Sequence, residues 1–320
     1  MKSILLDPKA LLPLYIPDKV LHREKELNEL SMCLKNSVNA FIHGPSGSGK
    51  SVLIKKVIED SNVSSKVKAI YIDCSLYQTT NAIFHEILLS LNNVVVSRSN
   101  YELTKRLKAK IRNLDSPLTI CLDHFEHFKE IETLNRMLSL GLNLIIIAET
   151  YDSYRKLNQQ IKASITSLIE ISSYTTDQVF DILMDRVEEA LEKYTYSENT
   201  IRKIAEASSG NVTLALNLLK SQVLKAESEG KSSIDDVELN FENDCPNDKL
   251  SDDERTLVKI LKEWKSLPGG RLFDFYREQA KYPKGERSFR NYMQNLCLKR
   301  LVKNVGGKRG RVYEIVEQIG

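Results

Sequence analysis

At 320 residues, 42% of them hydrophobic and 28% charged, the chain has the length for two or three domains that each bury a core. No apolar run approaches the roughly 20 residues of a membrane helix, Asp7 and the prolines interrupt the apolar N-terminus before a secretion signal develops, and five scattered cysteines (Cys33, Cys74, Cys121, Cys245, Cys297) suggest neither a disulfide framework nor a CxxC metal site, so a cytoplasmic protein is expected. The net charge of +3 is uneven: residues 251–320 carry 16 Lys/Arg against 9 Asp/Glu, +7, which leaves −4 for the rest and points the C-terminal part at a polyanion.

Through the first two thirds, short β-branched runs alternate with longer helical patterns, as in a mostly parallel α/β sheet. The expected strands are Ala40 to His43, Val67 to Ile72, Leu118 to Leu122, Leu144 to Ala148 and Leu168 to Ile171. After the first comes GxxxxGK[ST], written here as Gly44, Pro45, Ser46, Gly47, Ser48, Gly49, Lys50 and Ser51, and an amphipathic helix follows. Glycines let backbone N–H groups converge on phosphate oxygens, the helix N-terminus adds its positive dipole end, Lys50 reaches the outer phosphates and Ser51 can ligate Mg²⁺. ATP or ADP with Mg²⁺ is therefore the expected ligand.

A second magnesium-binding group should end a later apolar strand, and Asp123 does so after Leu118 to Leu122. In ATPases of this kind a Glu that polarises the attacking water normally follows; here His124 stands there. This leaves hydrolysis open: either Glu126 substitutes, which from two residues further on needs a displaced loop, or nothing does. His124, Glu126 and His127 suggest either a metal site or, since no third His lies near, solvent-facing loop residues.

Beyond Tyr174 the strands stop and helices take over, at Thr176 to Tyr194, Ser197 to Ala207 and Asn211 to Glu229, with Gly210 and Gly230 as breakers. A polar, acidic connector leads to a last unit of three helices (Asp253 to Trp264, Leu272 to Ala280, Glu286 to Lys299) and two strands (Leu301 to Val305, Arg311 to Val316) around a Gly-Gly-Lys-Arg-Gly turn. That is winged-helix order, in which the third helix enters the major groove and the hairpin reaches the backbone. Arg287, Ser288, Arg290, Asn291 and Gln294 on the helix, and Lys308, Arg309 and Arg311 on the wing, are the candidate DNA contacts. Phe289, Met293, Leu296 and Leu301 are expected in the core, and Trp264 as a packing residue. The expected domains are 1–173 (nucleotide-binding core), 174–230 (helical subdomain), 231–249 (linker) and 250–320 (winged helix).

These residues resemble the archaeal replication initiators related to eukaryotic origin recognition complex subunits and the cell-division-control loader protein, along nearly the whole chain. The resemblance runs through YIPDKVLHREKELNEL, the phosphate loop, IDCSLYQTTNAIFHEIL and the helical stretch SSYTTDQVFDILMDRVEEAL to SENTIRKIAEASSGNVTLALNLLKSQVLKAESEG. It implies an AAA+ ATPase core, a helical lid, and Val20, Leu21, His22 and Arg23 over the adenine. The family's extra helix would fall in NVVVSRSNYELTKRLKAKIRN, with Arg98, Lys105, Arg106 and Lys108 as further DNA candidates; a charged surface helix is the alternative.

The departures concern hydrolysis. Besides His124, Glu149 or Thr150 stands where the family has a sensor Asn, Gln160 where it has a neighbour-facing Arg, and Thr213 where the lid offers an Arg to the γ-phosphate. The expected protein binds nucleotide tightly, hydrolyses it slowly or not at all, and acts with double-stranded DNA in replication initiation or its regulation. A second copy or a paralogue on DNA and a replicative helicase are implied partners, at the nucleoid and not at a membrane. The competing readings are a regulatory NTPase whose winged helix binds protein, a mobile-element ATPase, and a hexameric remodelling ATPase.

Overall fold

The computed structural model describes residues 4–63, 68–94, 97–237, 251–280, 283–298, 301–305 and 311–316. The chain forms two compact units, Met1–Cys245 and Pro246–Gly320. The first runs α1 (Glu24–Lys35), β1 (Ala40–His43), α2 (Lys50–Val63), β2 (Lys68–Asp73), α3 (Thr80–Ser90), α4 (Asn100–Arg112), β3 (Leu118–Asp123), a 3-10 turn (Phe125–His127), α5 (Glu132–Ser139), β4 (Asn143–Ala148), α6 (Tyr151–Arg155), α7 (Gln159–Ser164), β5 (Ser167–Glu170), α8 (Thr176–Ala190), α9 (Glu198–Ala207) and α10 (Val212–Ser228).

The five strands form one parallel sheet in the order β2-β3-β4-β1-β5, with Ala40 to His43 paired to Ile145 to Ala148 on one side and Ser167 to Glu170 on the other. Side chains alternate across a strand, so one run of apolar residues serves two cores. Phe41, Leu144, Ile146 and Ala148 pack with α3, α4 and α5 on one face, while Ala40, Ile42, Ile145 and Ile147 pack with α1 and α2 on the other. Both layers being filled, the strand ends carry the free chemistry.

A third cluster joins α8, α9 and α10. Ile4, Ala10 and Leu11 pack into this cluster rather than into the sheet layers, because residues 4–6 run along the end of α8: Leu5 bridges Leu191, and the Leu6 N–H donates to Ala190 O at 2.7 Å. That bridge also ends α8 at Ala190, short of the expected Tyr194. The helical cluster extends past residue 230 as well, since Ile234 and Val237 are buried in it and their carbonyls accept from Gln222 Nε2 at 3.3 and 2.9 Å.

The second unit comprises α11 (Asp252–Trp264), β6 (Ser266–Pro268), α12 (Gly269–Gln279), α13 (Glu286–Leu298), β7 (Val302–Asn304) and β8 (Val312–Ile315), with an antiparallel sheet ordered β6-β8-β7. This is a winged helix. Strand β6 goes beyond the sequence expectation: Ser-Leu-Pro is too short to show alternation, yet Leu267 is buried opposite Tyr313. Trp264, expected as a packing residue, ends α11 and packs one face on Phe275, centroids 5.4 Å apart, while it stays 55% exposed. No helix among the described residues is long and apolar enough to cross a membrane.

Candidate nucleotide-binding site

The loop Gly44–Ser51 leaves β1 and enters α2, with Gly47 and Gly49 at φ +75° and +88°, a region open mainly to glycine. A Cβ at Gly44 would lie 2.1 Å from Ile171 O, and one at Gly47 1.9 Å from Asn211 Oδ1, so the loop is pressed between the end of β5 and the start of α10. The Val212 N–H donates to Gly47 O at 3.1 Å, which ties the loop directly to the helical cluster.

Lys50 is buried, and its Nζ donates to Gly44 O at 2.7 Å and Pro45 O at 2.8 Å, the loop's own carbonyls. Burial draws its ammonium below the ordinary range, against the attraction of Glu149, Asp123 and Glu126. A buried ammonium on a loop of convergent N–H groups fits a polyanion, because an anionic ligand would supply the charge partner that backbone carbonyls do not. Asp123 ends β3 at 1% exposure; its carboxylate accepts from its neighbour's N–H (His124) at 2.8 Å and from Tyr71 Oη at 2.7 Å. Burial and the adjacent Asp123 push the Tyr71 phenol up, so Tyr71 stays a donor. Ser51 and Asp123 line the same cavity, a pair of oxygen donors suited to a hard cation such as Mg²⁺.

The cavity holds about 450 Å³. On the loop side it is lined by Lys50, Ser51, Asp123, His124, Glu126 and Glu149. His124 sits at φ +50°, with Nδ1 3.1 Å from Asp73 Oδ1. Glu126 needs no displaced loop to reach the cavity: the left-handed turn at His124 and the 3-10 turn after it turn position 126 inward, where its Oε2 accepts the Glu149 N–H at 3.4 Å. Among the described residues, no cluster of three or more His, Cys, Asp or Glu is placed to hold a metal.

The far side is apolar and comes from two distant segments, Pro13, Leu14, Pro17, Val20 and Leu21 before α1, and Ile182 and Leu216 from α8 and α10. Arg186 joins them. It is 4% exposed, its guanidinium lies 4.7 Å over the Tyr15 ring, Nη2 donates to Tyr15 O at 3.3 Å, and Nη1 finds no acceptor among the described residues. Burial lowers its pKa against Asp185, Glu189 and Tyr15. A buried cationic donor with one unspent N–H at a cavity wall fits a ligand acceptor. The signal in the sequence is an arginine at a core position of α8, in step with Val179, Ile182, Leu183, Val187 and Ala190.

Of the residues expected over the adenine, Val20 and Leu21 line the cavity; His22 and Arg23 are not among its lining residues. His22 Nε2 lies 2.9 Å from Asp181 Oδ2. Arg23 is buried, donates to Ser172 O at 2.5 Å and stacks 4.0 Å from the Tyr174 ring, whose hydroxyl would crowd a Cβ on Gly49; it props the loop from behind. Gly44, Pro45 and Ser48 likewise shape the loop without facing the cavity, Ser48 Oγ donating to Pro45 O, while Ser46, Gly47, Gly49 and Thr213 line it. Gln160 is exposed on α7.

In the second unit, Phe289, Met293 and Leu296 face the core of α13, as expected, and leave Arg290 and Asn291 exposed and Ser288 half-buried. Arg290 pairs with Glu286 at 2.6 Å. Arg311 is exposed just before β8. Lys308 and Arg309 lie outside the described residues, as do the side chains of Arg287 and Gln294. Arg98, Lys105, Arg106 and Lys108 are exposed on or next to α4, held by buried Leu103 and Leu107.

Comparison with known proteins meets this geometry at both of its halves. Residues 35–152, which hold the phosphate loop and strands β1 to β4 of the sheet, match the AAA domain family, and residues 180–240 match the Cdc6 AAA+ ATPase-type lid domain. ORC1-type DNA replication protein 9 of Halobacterium salinarum is 25% identical over 97% of this chain and 94% of its own length. ORC1-type DNA replication protein 2 of Sulfurisphaera tokodaii is 31% identical over 69% of this chain and 62% of its own. The Aeropyrum pernix ORC1 protein, solved in complex with DNA, shares the fold at a TM-score of 0.78 and 20% identity over 98% of this chain and 94% of that one. The lid match falls on the helices that close the cavity over the loop, and the likeness to replication proteins runs nearly end to end: the chain belongs to the archaeal Orc1/Cdc6 family of AAA+ proteins.

Proposed function

We propose that this protein binds ATP or ADP with Mg²⁺ in the cavity of its first unit and double-stranded DNA through its winged helix, and acts in replication initiation or its regulation. The observation that carries the reading is the cavity itself: one buried cation from the phosphate loop, Lys50, and one from the lid, Arg186, line a single space with an apolar wall. A phosphate chain suits the first and an apolar heterocycle with ring acceptors suits the second. Loop N–H groups and the α2 N-terminus hold the phosphates, Lys50 neutralises them, Ser51 and Asp123 hold the cation, and Arg186 orients the nucleoside. Bound Mg²⁺ supplies charge neutralisation between the phosphates.

Turnover is slow in this reading. Gln160 and Thr213 bring no positive charge to a developing phosphate charge, and Glu149 adds a negative one beside Lys50. For DNA the support is the +7 charge of residues 251–320, the exposed Arg290, Asn291 and Arg311, and a relative of the same fold solved with DNA. A second copy or a paralogue on the same DNA, and a replicative helicase, are the partners this role implies, and its place is the nucleoid.

The test is duplex-DNA binding by fluorescence anisotropy across a salt series, with the protein stripped of nucleotide and then loaded with ATP or ADP. Salt-dependent binding that changes with nucleotide is expected; no binding in any state would make the winged helix a protein-binding module.

A further inference from the structure

Position 124, where a water-polarising glutamate would stand, is engaged elsewhere. The His124 imidazole is paired with Asp73 on the β2 side, and its left-handed backbone starts a 3-10 turn. The turn is fixed at two points. Phe125 and Phe128 are both buried in the sheet core with centroids 5.9 Å apart, and the N–H groups of His127 and Phe128 donate to His124 O and Phe125 O, each at 3.0 Å. With the two phenyl rings turned into the core, Glu126 between them is left on the cavity side, beside Lys50, Ser51 and Asp123. The Glu149 N–H, just after β4, reaches its Oε2 at 3.4 Å, a long contact at the cavity rim. Glu126 is exposed, yet it stands on an anchored turn and its carboxylate has a backbone donor.

We propose that Glu126 is the catalytic base for the slow hydrolysis of bound ATP, taking over from position 124. The inference rests on the nucleotide reading above. In the step it serves, a water oxygen bonds to the γ-phosphorus, and the bond from that phosphorus to the β–γ bridging oxygen breaks with its electron pair leaving on the diphosphate. The water's proton passes to the Glu126 carboxylate, which returns it to solvent. The Asp-His-Phe-Glu-His-Phe run encodes this arrangement: two phenylalanines three apart are the anchors, and the glutamate inside them is the group they present.

The experiment compares wild-type protein, Glu126→Gln and the neighbouring control His127→Ala, whose side chain is exposed and outside the cavity lining. Gln keeps an oxygen for the Glu149 N–H but cannot take a proton. Three quantities are read with DNA present: affinity for a fluorescent non-hydrolysable ATP analogue, single-turnover hydrolysis, and affinity for ADP with aluminium fluoride, a mimic of the transferring phosphoryl group. Glu126→Gln is expected to hold the analogue as well as wild type, to hydrolyse about 100-fold more slowly, and to bind the mimic at least about 10-fold more weakly, with His127→Ala like wild type throughout. Wild-type turnover retained by Glu126→Gln, or a wild type that binds the analogue and shows no hydrolysis above buffer, overturns the role of Glu126. A wild type that binds no nucleotide overturns the nucleotide reading itself.

Discussion

The two units use their charges in opposite directions. In the first, the chemistry faces inward: Lys50, Asp123 and Arg186 are 8%, 1% and 4% exposed, and each is held by named partners. In the second, the core is apolar, and Arg290, Asn291 and Arg311 stand outside it in solvent. A buried ion is costly unless something answers it, so substitutions in the first unit should act in an all-or-none way. Solvated charges act additively and are screened by salt, so substitutions on the second should act in graded steps.

The sharpest break of that comparison is Lys50→Ala. It removes the one ammonium on the phosphate loop, and nucleotide affinity should fall by about 100-fold or more, as expected for losing charged hydrogen bonds in a buried site. Titration calorimetry reads this directly, and undiminished affinity would move the site elsewhere. Arg186→Leu comes next, with two effects of different sign. Nucleotide binding should weaken about 10-fold, while the melting temperature without nucleotide should hold or rise, because a half-answered buried cation is exchanged for an apolar side chain in an apolar cluster. A drop in both would make Arg186 a structural prop for Tyr15 alone. Smaller again are the exposed cations of the second unit. Each of Arg290→Ala and Arg311→Ala should lower the slope of log affinity against log salt by up to about 0.9 per lost phosphate contact, leaving nucleotide affinity untouched.

The same inward-outward difference sets how much the sequence discloses. The phosphate loop is legible because backbone geometry fixes where glycines must fall between Gly44 and Ser51, and the sheet is legible because β-branched runs of four to six residues have few alternatives. Asp123 is legible from its place at a strand tip. The apolar wall is not: Pro13, Leu14 and Pro17 meet Ile182 and Leu216 across more than 160 residues, and only folding brings them together. Arg23 misleads for a related reason, since proximity to the cavity in sequence does not say which face of α1's start it takes; its guanidinium goes behind the loop, under Tyr174. Glu126 is legible as a carboxylate near the strand tip but not as one that reaches the cavity, because the left-handed turn at His124 that carries it there shows only in the structure. The outward charges of the winged helix, by contrast, are legible from composition alone, though composition cannot say that Arg290 is paired with Glu286.

The smallest expected effect tests whether the second unit has any inward polar chemistry. Tyr276 is fully buried there, its hydroxyl donating to Asp253 Oδ1 at 2.7 Å and accepting the Lys284 N–H at 2.9 Å, and Tyr292 Oη donates to the other Asp253 oxygen at 3.0 Å. Burial, with Asp253 beside it, pushes the Tyr276 phenol from 10.0 up to about 12. The folded state thus favours the protonated phenol, and its contribution to stability is whole below pH 10.0 and lost as pH rises toward about 12. Tyr276→Phe should cost about 1 kcal/mol at neutral pH and blunt that alkaline loss. Trp264 is the chain's single tryptophan and lies in this unit, so its fluorescence during denaturant unfolding of the whole protein reports the second unit by itself. DNA affinity should be unchanged by the substitution at neutral pH. If it falls instead, the Asp253 network positions the start of α13 for DNA, and the second unit works from the inside as the first does.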